Sequence, residues 1–355
     1  MAQWPHPWNG QENRGIYFTV KYTRVLAGSR AQITRRALLL YPPGNLALYV
    51  KGETMGWVVV LIVIAAVVAA FFILAIKLAT YIMTINKKHG KTLERAWKIE
   101  SGHMDLSFYN KIEKEDYTIK GVGGYILHVQ FLKNPKPTAK YMILTHGHND
   151  NRIGSLKYVP MYMELGFNCV IYDMRCHGLN KRTYFTYGIL ESKDLMILIK
   201  DTRVRHPDMT QLGLHGESLG SATTVTTMKY RPKVDFAVCD CGFADLWNVL
   251  KVSAREYHLP QFFLYIAEAG VRMKYHYSFK QMNPIDSLGD NEIPMLFIHG
   301  TADSYIVPSN SQRMADRTKG YSEVHFVQNA KHAMSYYTDP VNYKKYVADF
   351  LKKIE

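Results

Sequence analysis

The sequence predicts an α/β fold in which helices cover both faces of a mostly parallel sheet. From about residue 116, short apolar runs alternate with amphipathic stretches, as strands alternate with helices in such sheets. The chain has 355 residues and 47% apolar content, enough for one domain with a sizeable core. Before residue 116 the pattern differs and is dominated by one uninterrupted apolar run. We therefore predict an N-terminal membrane segment followed by one α/β domain at 116–355.

The elements of this domain follow from the alternation in chain order. A hairpin is predicted for 117–120 and 125–132, across Gly123-Gly124. Further strands are predicted at 141–145, 168–173, 211–215, 234–240, 295–299 and 323–327, and helices at 155–165, 191–206, 218–230, 308–319 and 340–353. Residues 243–286 have no strand pattern and are rich in aromatic side chains. We interpret them as a small helical cap over the site, with an ordinary connection as the alternative.

Residues 57–76 contain no charged or strongly polar side chain, and 20 residues of helix match the hydrocarbon core of a bilayer. Trp57 and Tyr81 flank this run as interfacial aromatics, and Lys77 can reach the headgroups. The alternatives are a buried core helix and a cleaved signal peptide. The missing polar stripe argues against the first, and the bulky, basic end of the run argues against the second. We predict a transmembrane anchor at 55–85 and a basic juxtamembrane stalk at 86–115.

The positive charge is concentrated around this anchor. The net charge is +14, and residues 99–355 carry 31 Lys/Arg against 27 Asp/Glu, so most of the excess precedes residue 99. A basic cluster beside an apolar segment fits membrane lipid better than nucleic acid, for which no module is recognisable.

Residues 1–54 are poorly patterned and carry no motif, so we regard them as an N-terminal extension. We hypothesise that the natural chain starts at Met55, directly before the anchor. Lys51-Gly52-Glu53 can be encoded by a purine-rich run resembling a bacterial ribosome-binding site. The alternative is a genuine unstructured tail. With a start at Met55, the positive-inside rule places the α/β domain on the cytoplasmic side.

The four cysteines are Cys169, Cys176, Cys239 and Cys241. A domain with so large a core does not need a disulfide framework, and the spacing of these residues is not that of a zinc site. We interpret them as small buried apolar residues and predict neither a metal nor a cofactor.

Gly216-Glu217-Ser218-Leu219-Gly220 has the Gly-x-Ser-x-Gly pattern and lies between a predicted strand and a predicted helix. This is the setting of a nucleophile elbow, where the serine occupies a strained turn and its neighbours at both glycine positions must be small. The alternative is a glycine-rich turn with a surface serine. We predict that Ser218 is the catalytic nucleophile.

A serine hydroxyl needs a base, and the base needs an orienting acid. Asp303 follows the strand predicted at 295–299, and His332 follows the strand predicted at 323–327. Both follow Ser218 in the order serine, acid, histidine of α/β-hydrolases, and both lie at strand ends, where loops of parallel sheets gather. We predict a triad of Ser218, His332 and Asp303.

The developing oxyanion needs two backbone N–H donors. One is expected at Leu219, directly after the nucleophile, and the other at His148, in the loop that starts His146-Gly147 after the third strand. His146 and His148 as a metal pair are less favoured, because Asn149 and Asp150 complete no familiar spacing.

Residues 116–355 resemble a bacterial α/β-hydrolase of the serine-aminopeptidase-like (S33-type) grouping, often found with an N-terminal membrane segment. The resemblance lies in His146-Gly147, Gly216–Gly220, 299–303, 331–336 and Asp173-Met174-Arg175-Cys176-His177-Gly178. Many relatives have glycine where this chain has Cys176. The resemblance implies the triad and oxyanion residues named above, and it spans esterases, lipases, thioesterases and peptidases.

We therefore predict a serine hydrolase that cleaves an ester, thioester or amide through an acyl-enzyme, most simply an esterase or lipase-like enzyme. The aromatic cap and the anchor favour a small, apolar, lipid-like acyl substrate. One alternative is a peptidase for short peptides, with Glu217 or Glu268 holding the free amino group. The other is a catalytically silent, membrane-tethered binding module, which the complete triad disfavours.

Overall fold

The structure is a computed structural model that describes residues 43–85 and 90–355, with side chains from Met55 onward. It divides into two compact units, one ending at Ala70 and one comprising Phe71–Glu355. The described part of the first unit belongs to a single helix, α1, Pro43–Met83. Within it, Met55–Met83 is long and apolar enough to cross a membrane, by length and composition. Most of the extension predicted at 1–54 lies outside the described residues.

The second unit contains a sheet of eight described strands. They are Lys114–Lys120 (β1), Ile126–Leu132 (β2), Lys140–Thr145 (β3), Asn168–Tyr172 (β4), Gln211–Glu217 (β5), Phe236–Asp240 (β6), Met295–Gly300 (β7) and Ser322–Val327 (β8). Their order in the sheet is β1-β2-β4-β3-β5-β6-β7-β8. The first two pairings are antiparallel and the rest are parallel. The predicted α/β-hydrolase fold is confirmed.

Helices cover both faces of this sheet. Those described after α1 are Leu93–Ser101 (α2), Phe108–Lys111 (α3), Val159–Glu164 (α4), Ile189–Arg205 (α5), Leu219–Thr227 (α6), Leu246–Glu256 (α7), Phe262–Tyr275 (α8), Ser309–Arg317 (α9), Ser335–Thr338 (α10) and Pro340–Ile354 (α11). The helix expected at 155–165 is shorter, because a 3₁₀ segment precedes it. Pro160 then lies in the first turn of α4, where its missing N–H costs no hydrogen bond.

The two faces of the sheet bury separate apolar cores. Along β3, Tyr141 and Ile143 belong to one core, and Met142 and Leu144 belong to the other. This alternation follows from the two-residue period of a strand, and it explains why the central strands are apolar on both sides. The carboxyl ends of the parallel strands meet at one edge, where the loops after β3, β5, β7 and β8 carry the predicted site residues.

The segment predicted as a stalk, 86–115, is largely part of the second unit. Residues 86–89 lie outside the described part of the chain. Thr92 caps α2 by accepting a hydrogen bond from the Arg95 N–H, and Ala96 is fully buried. Lys91 forms an ion pair with Asp150 at 2.6 Å. A stalk would be solvated on all sides, whereas residues 90–112 pack against the domain that carries the site.

Candidate active site

Ser218 stands between β5 and α6 in a strained turn. Its φ of 53° and ψ of −113° lie in a region that residues with a side chain rarely adopt. A Cβ at Gly216 would lie 2.3 Å from the Gly220 carbonyl oxygen, and a Cβ at Gly220 would lie 2.1 Å from that of Thr145. Both positions therefore exclude any larger residue, as the elbow interpretation requires. The Ser218 N–H donates to the Asp240 carbonyl at 2.9 Å, which helps to hold the turn.

The structure brings Ser218, His332 and Asp303 together in one hydrogen-bonded chain. Ser218 Oγ lies 2.9 Å from His332 Nε2, and His332 Nδ1 lies 2.7 Å from Asp303 Oδ2. Asp303 is only 3% exposed, and it reaches the histidine from the loop after β7. The three residues therefore have the spacing at which an imidazole can take a proton from a serine hydroxyl.

The Asp303 carboxylate is held on both of its oxygens. Oδ1 accepts hydrogen bonds from the N–H groups of Tyr305 at 3.0 Å and Ile306 at 2.9 Å. Oδ2 faces His299 Nε2 at 3.1 Å as well as His332. Burial alone would raise the pKa of Asp303, but the hydrogen bonds from His299 and His332 outweigh it and lower the pKa to about 2. The acid therefore stays ionised at every pH at which a hydrolase would work.

The sequence did not reveal that the His299 side chain contacts Asp303. Its Nε2 faces two acceptors, Asp303 Oδ2 and the Ile306 carbonyl at 2.7 Å, so this nitrogen must carry the proton. Its Nδ1 lies 2.7 Å from Ser311 Oγ and accepts from that hydroxyl. The available signal in the sequence was the position of His299, four residues before Asp303 and inside a predicted strand.

The two backbone donors predicted for an oxyanion hole belong to Leu219, which follows Ser218 in the chain, and to His148, which lies in the loop after β3. Leu219 opens α6, so its N–H has no acceptor within the helix. Among the described residues, the His148 N–H donates to no backbone acceptor. A Cβ at Gly147 would lie 3.5 Å from Ser218 Cβ, an ordinary van der Waals distance, so the loop that carries His148 lies next to Ser218.

His146 holds this loop in place. Its Nε2 accepts a hydrogen bond from the Met174 N–H at 2.9 Å, and its Nδ1 lies 2.8 Å from the Gly147 carbonyl. Burial lowers the pKa of His146, which agrees with a neutral ring that accepts on one nitrogen and donates on the other. The His146 side chain therefore links the loop after β3 to the loop after β4.

The loop 173–178 is built around Asp173. Its carboxylate accepts from Arg152 Nη1 at 2.7 Å and from the Leu179 N–H at 2.9 Å. A Cβ at Gly178 would lie 2.1 Å from Asp173 Cγ, so only glycine fits there. Cys176 has a φ of 71°, the left-handed conformation that favours glycine. This left-handed conformation explains why many of the hydrolases that the chain resembles have glycine at that position.

A buried polar network lies under the elbow. The Lys157 ammonium pairs with the Glu217 carboxylate, and both side chains are under a tenth exposed. The Tyr158 hydroxyl lies 2.7 Å from Glu217 Oε2 and 3.1 Å from Asp240 Oδ2, which also accepts from Tyr343 at 3.0 Å. Burial, followed by repulsion from Glu217, raises the pKa of Asp240 to about 6. The Glu217 carboxylate, next to Ser218 in the chain, is therefore already bonded to other side chains of the protein.

The other candidate for holding a free amino group, Glu268, is also occupied. Its Oε1 accepts from Ser278 Oγ at 2.6 Å and Arg272 Nε at 2.7 Å, and its Oε2 accepts from the Phe279 N–H at 2.9 Å. These bonds tie α8 to the 3₁₀ turn that follows it. Neither Glu217 nor Glu268 therefore offers a free carboxylate to a peptide amino terminus.

All four cysteines are buried and unpaired, as predicted. Cys241 Sγ, a carboxylate oxygen of Asp303 and a ring nitrogen of His332 lie within 4.8 Å of one another, so these three residues could offer ligands to a metal ion. Asp303 Oδ2 and His332 Nδ1 already hydrogen bond to each other. A metal at this position would have to break that bond.

The α/β-hydrolase fold and the residues at the carboxyl edge of its sheet indicate that the chain is a hydrolase. The chain belongs to the prolyl oligopeptidase family (Peptidase_S9), whose model matches residues 154–354. The S33-type grouping that the motifs resemble is a finer assignment and stays a prediction. The chain is also 30% identical over 296 residues to the uncharacterized protein YqkD of Bacillus subtilis (strain 168), covering 82% of this chain and 96% of that protein.

Solved structures with under 25% identity support the fold alone. The esterase Pf2001 of Pyrococcus furiosus superposes with a TM-score of 0.58 at 19% identity, covering 70% of this chain and 96% of the esterase. A puromycin-hydrolyzing peptidase of Mycobacterium tuberculosis superposes with a TM-score of 0.56 at 15% identity, covering 71% of this chain and 40% of the peptidase.

Proposed function

We propose that the protein is a serine hydrolase that cleaves a carboxylic ester through an acyl-enzyme. The observation that carries this proposal is the hydrogen-bonded chain from Ser218 Oγ through His332 to Asp303, with distances of 2.9 Å and 2.7 Å. It supports the roles of nucleophile, base and orienting acid, in that order.

In the proposed reaction, His332 Nε2 takes the proton of Ser218 as the hydroxyl attacks the acyl carbon. Asp303 accepts from Nδ1 and so stabilises the imidazolium that forms. The N–H groups of Leu219 and His148 would bind the oxyanion, and His332 would then protonate the leaving alcohol. Water, activated by the same histidine, releases the acid and restores the serine. None of these steps requires a cofactor.

Two of the predicted substrate classes can be weighed against the structure. Peptide hydrolysis is favoured by the family name and by the peptidase that shares the fold. A peptidase for short peptides needs a group to hold the free amino terminus, and the two acidic candidates, Glu217 and Glu268, are already bonded within the protein. We therefore favour an ester over a peptide, and a catalyst over a silent binding module.

We further propose that α1 anchors the enzyme in a membrane. Its stretch Met55–Met83 has the required length and composition, and the basic residues on either side would contact anionic lipid. The hydrolase domain would lie on the cytoplasmic side if the natural chain starts at Met55.

Labelling with a fluorophosphonate probe tests the core of this proposal. The full-length chain should be labelled and should hydrolyse nitrophenyl esters faster than aminoacyl amides, and Ser218→Ala should show neither labelling nor turnover. Labelling of the Ser218→Ala variant would overturn the assignment of the nucleophile. Faster turnover of aminoacyl amides would replace the esterase by the peptidase.

A further inference from the structure

The end of α1 and the cap enclose an apolar groove of about 430 Å³. Its α1 wall includes Leu78, Tyr81 and Ile82, and the facing wall includes Leu250 on α7 and Phe263 on α8. Every one of these residues belongs to the second unit. A groove of this size and lining is typical of a site for an apolar ligand.

The α1 wall of the groove is fixed to the cap. A Cβ at Gly270 would lie 2.0 Å from the Ala75 carbonyl oxygen, so the backbones of α8 and α1 are in direct contact. Ala75 and Ala79 are fully buried in this contact. Small residues allow such close packing of helices, as they do between membrane-spanning helices. The last turns of α1 are therefore part of the domain that holds the site.

Two tyrosines connect the groove to the catalytic residues. The hydroxyl of Tyr305 lies beside that of Ser253, which lines the groove, and the Tyr305 ring lies 5.2 Å from the His332 ring. On the other side, the Tyr187 hydroxyl donates to the Ile82 carbonyl at 2.8 Å. The groove is thus separated from His332 by a single side chain.

Tyr187 also reaches the other end of the site. Its ring stacks on that of His148 with 6.3 Å between the centroids, and His148 carries one of the proposed oxyanion donors. One side chain therefore separates the groove from the catalytic centre on each side, Tyr305 towards His332 and Tyr187 towards His148.

We propose that this groove binds the hydrocarbon chain of a membrane-resident amphiphilic ester, so that α1 forms one wall of the substrate site. This rests on the proposed function. Water would add across the ester bond, releasing the long-chain acid and its alcohol. The occupant follows from the apolar lining, from a position one side chain away from His332, and from a wall that belongs to the stretch able to span a bilayer.

The cap surface agrees with an occupant that comes from lipid. Tyr257, Leu259, Phe262 and Tyr265 are each at least half exposed, although they are large and apolar. They lie on or between α7 and α8, the helices that form the outer wall of the groove. Exposed apolar groups of this size usually mark a contact surface. Here they would extend the apolar path from the bilayer into the groove.

Leu78→Trp fills the groove from the α1 side and tests the proposal. The full-length chain in lipid nanodiscs would be assayed with nitrophenyl acetate, hexanoate and dodecanoate. In the wild type, kcat/KM should rise about fourfold per added methylene until the groove is full. Relative to its acetate turnover, Leu78→Trp should lose about tenfold or more on dodecanoate, the effect of about two displaced methylenes. The matched control is Ile73→Trp, on an exposed position of the same helix that does not line the groove.

Equal chain-length profiles for Leu78→Trp and Ile73→Trp would overturn the groove inference and leave the proposed function intact. Failure of the wild type to hydrolyse any ester would instead overturn the proposed function. If Leu78→Trp loses acetate turnover, Phe263→Ala decides the question by opening the same groove. It should raise the ratio of dodecanoate to hexanoate turnover, and an unchanged ratio would refute the inference.

Discussion

Replacing Asp303 with asparagine should disable the histidine while keeping the loop in place. Asp303 Oδ1 accepts from two backbone N–H groups, those of Tyr305 and Ile306. In Asp303→Asn, the amide oxygen can keep both bonds only by occupying the Oδ1 position. The amide nitrogen must then face His332 Nδ1, where the carboxylate accepted at 2.7 Å. His299 Nε2 keeps its proton for the Ile306 carbonyl at 2.7 Å, so it loses only its bond to position 303.

The consequence is a histidine in the wrong tautomer. His332 Nδ1 would have to accept from the new amide, so Nε2 would carry the proton and point it at Ser218. Such a ring cannot act as the base, and the loss in kcat should be about 10⁴-fold, or about 5.5 kcal/mol in the activation free energy. The free energy of unfolding should fall by less than this. The pKa of Asp303, lowered from 3.8 to about 2, corresponds to about 2 kcal/mol. This stabilisation is present above pH 4 and is lost as the pH falls through 2.

The assay is single-turnover hydrolysis of nitrophenyl acetate, together with the rate of fluorophosphonate labelling. The matched control is Asp245→Asn. Asp245 caps α7 at 2.9 Å from the Asn248 N–H and pairs with Arg313, so it should change kcat little. If Asp303→Asn kept more than about a tenth of wild-type kcat while folded, Asp303 would not be the orienting acid.

Three further outcomes are expected. Ser218→Gly should melt above Ser218→Ala, because only loss of the Cβ relieves the strained φ of 53°, and a lower melting temperature for the glycine variant would contradict this. Asp240→Asn should gain stability relative to the wild type as the pH rises from 4 to 7, by up to about 3 kcal/mol. The reason is that only the wild type must ionise a buried carboxyl, whose pKa is raised to about 6. A difference in unfolding free energy between wild type and variant that does not change with pH would refute this. Gly270→Ala should lower the melting temperature through a clash costing about 1–3 kcal/mol, whereas Gly56→Ala, with no atom within 4 Å, should not.

The features that sequence could predict are those set by local chemistry. The strands from β3 to β7 were predictable because buried parallel strands are largely apolar runs. The elbow was predictable because the close approach of Gly216 to Gly220 leaves a fixed pattern of small residues. The proximity of Ser218, Asp303 and His332 was inferred from strand ends, since the carboxyl ends of parallel strands share one edge.

The features that sequence could not predict depend on partners far away in the chain. Residues 90–112 have the composition of a solvated linker, yet Glu100 is buried and accepts from the Tyr337 hydroxyl. Burial raises the pKa of Glu100, and the nearby Lys157 ammonium is the chief influence that lowers it. The partners of Glu100 are therefore residues far away in the chain. Nothing local marks such a glutamate as buried. The same holds for Tyr305, whose contact with His332 arises only when the loops after β7 and β8 fold together.

The contacts of α1 bear on whether it is a substrate-binding element, as proposed, or a tether alone. A helix that only tethers the domain could be exchanged for any apolar sequence of equal length without changing catalysis. In this chain, Ala75 and Ala79 lie against the α8 backbone. The Ile82 carbonyl accepts a hydrogen bond from the Tyr187 hydroxyl, and the Tyr187 ring stacks on His148. Ile73 is more than half exposed and has no such neighbours among the residues that line the groove. If the proposed groove binds the substrate, exchange of the last turns of α1 should change catalysis, whereas exchange of its exposed turns should not.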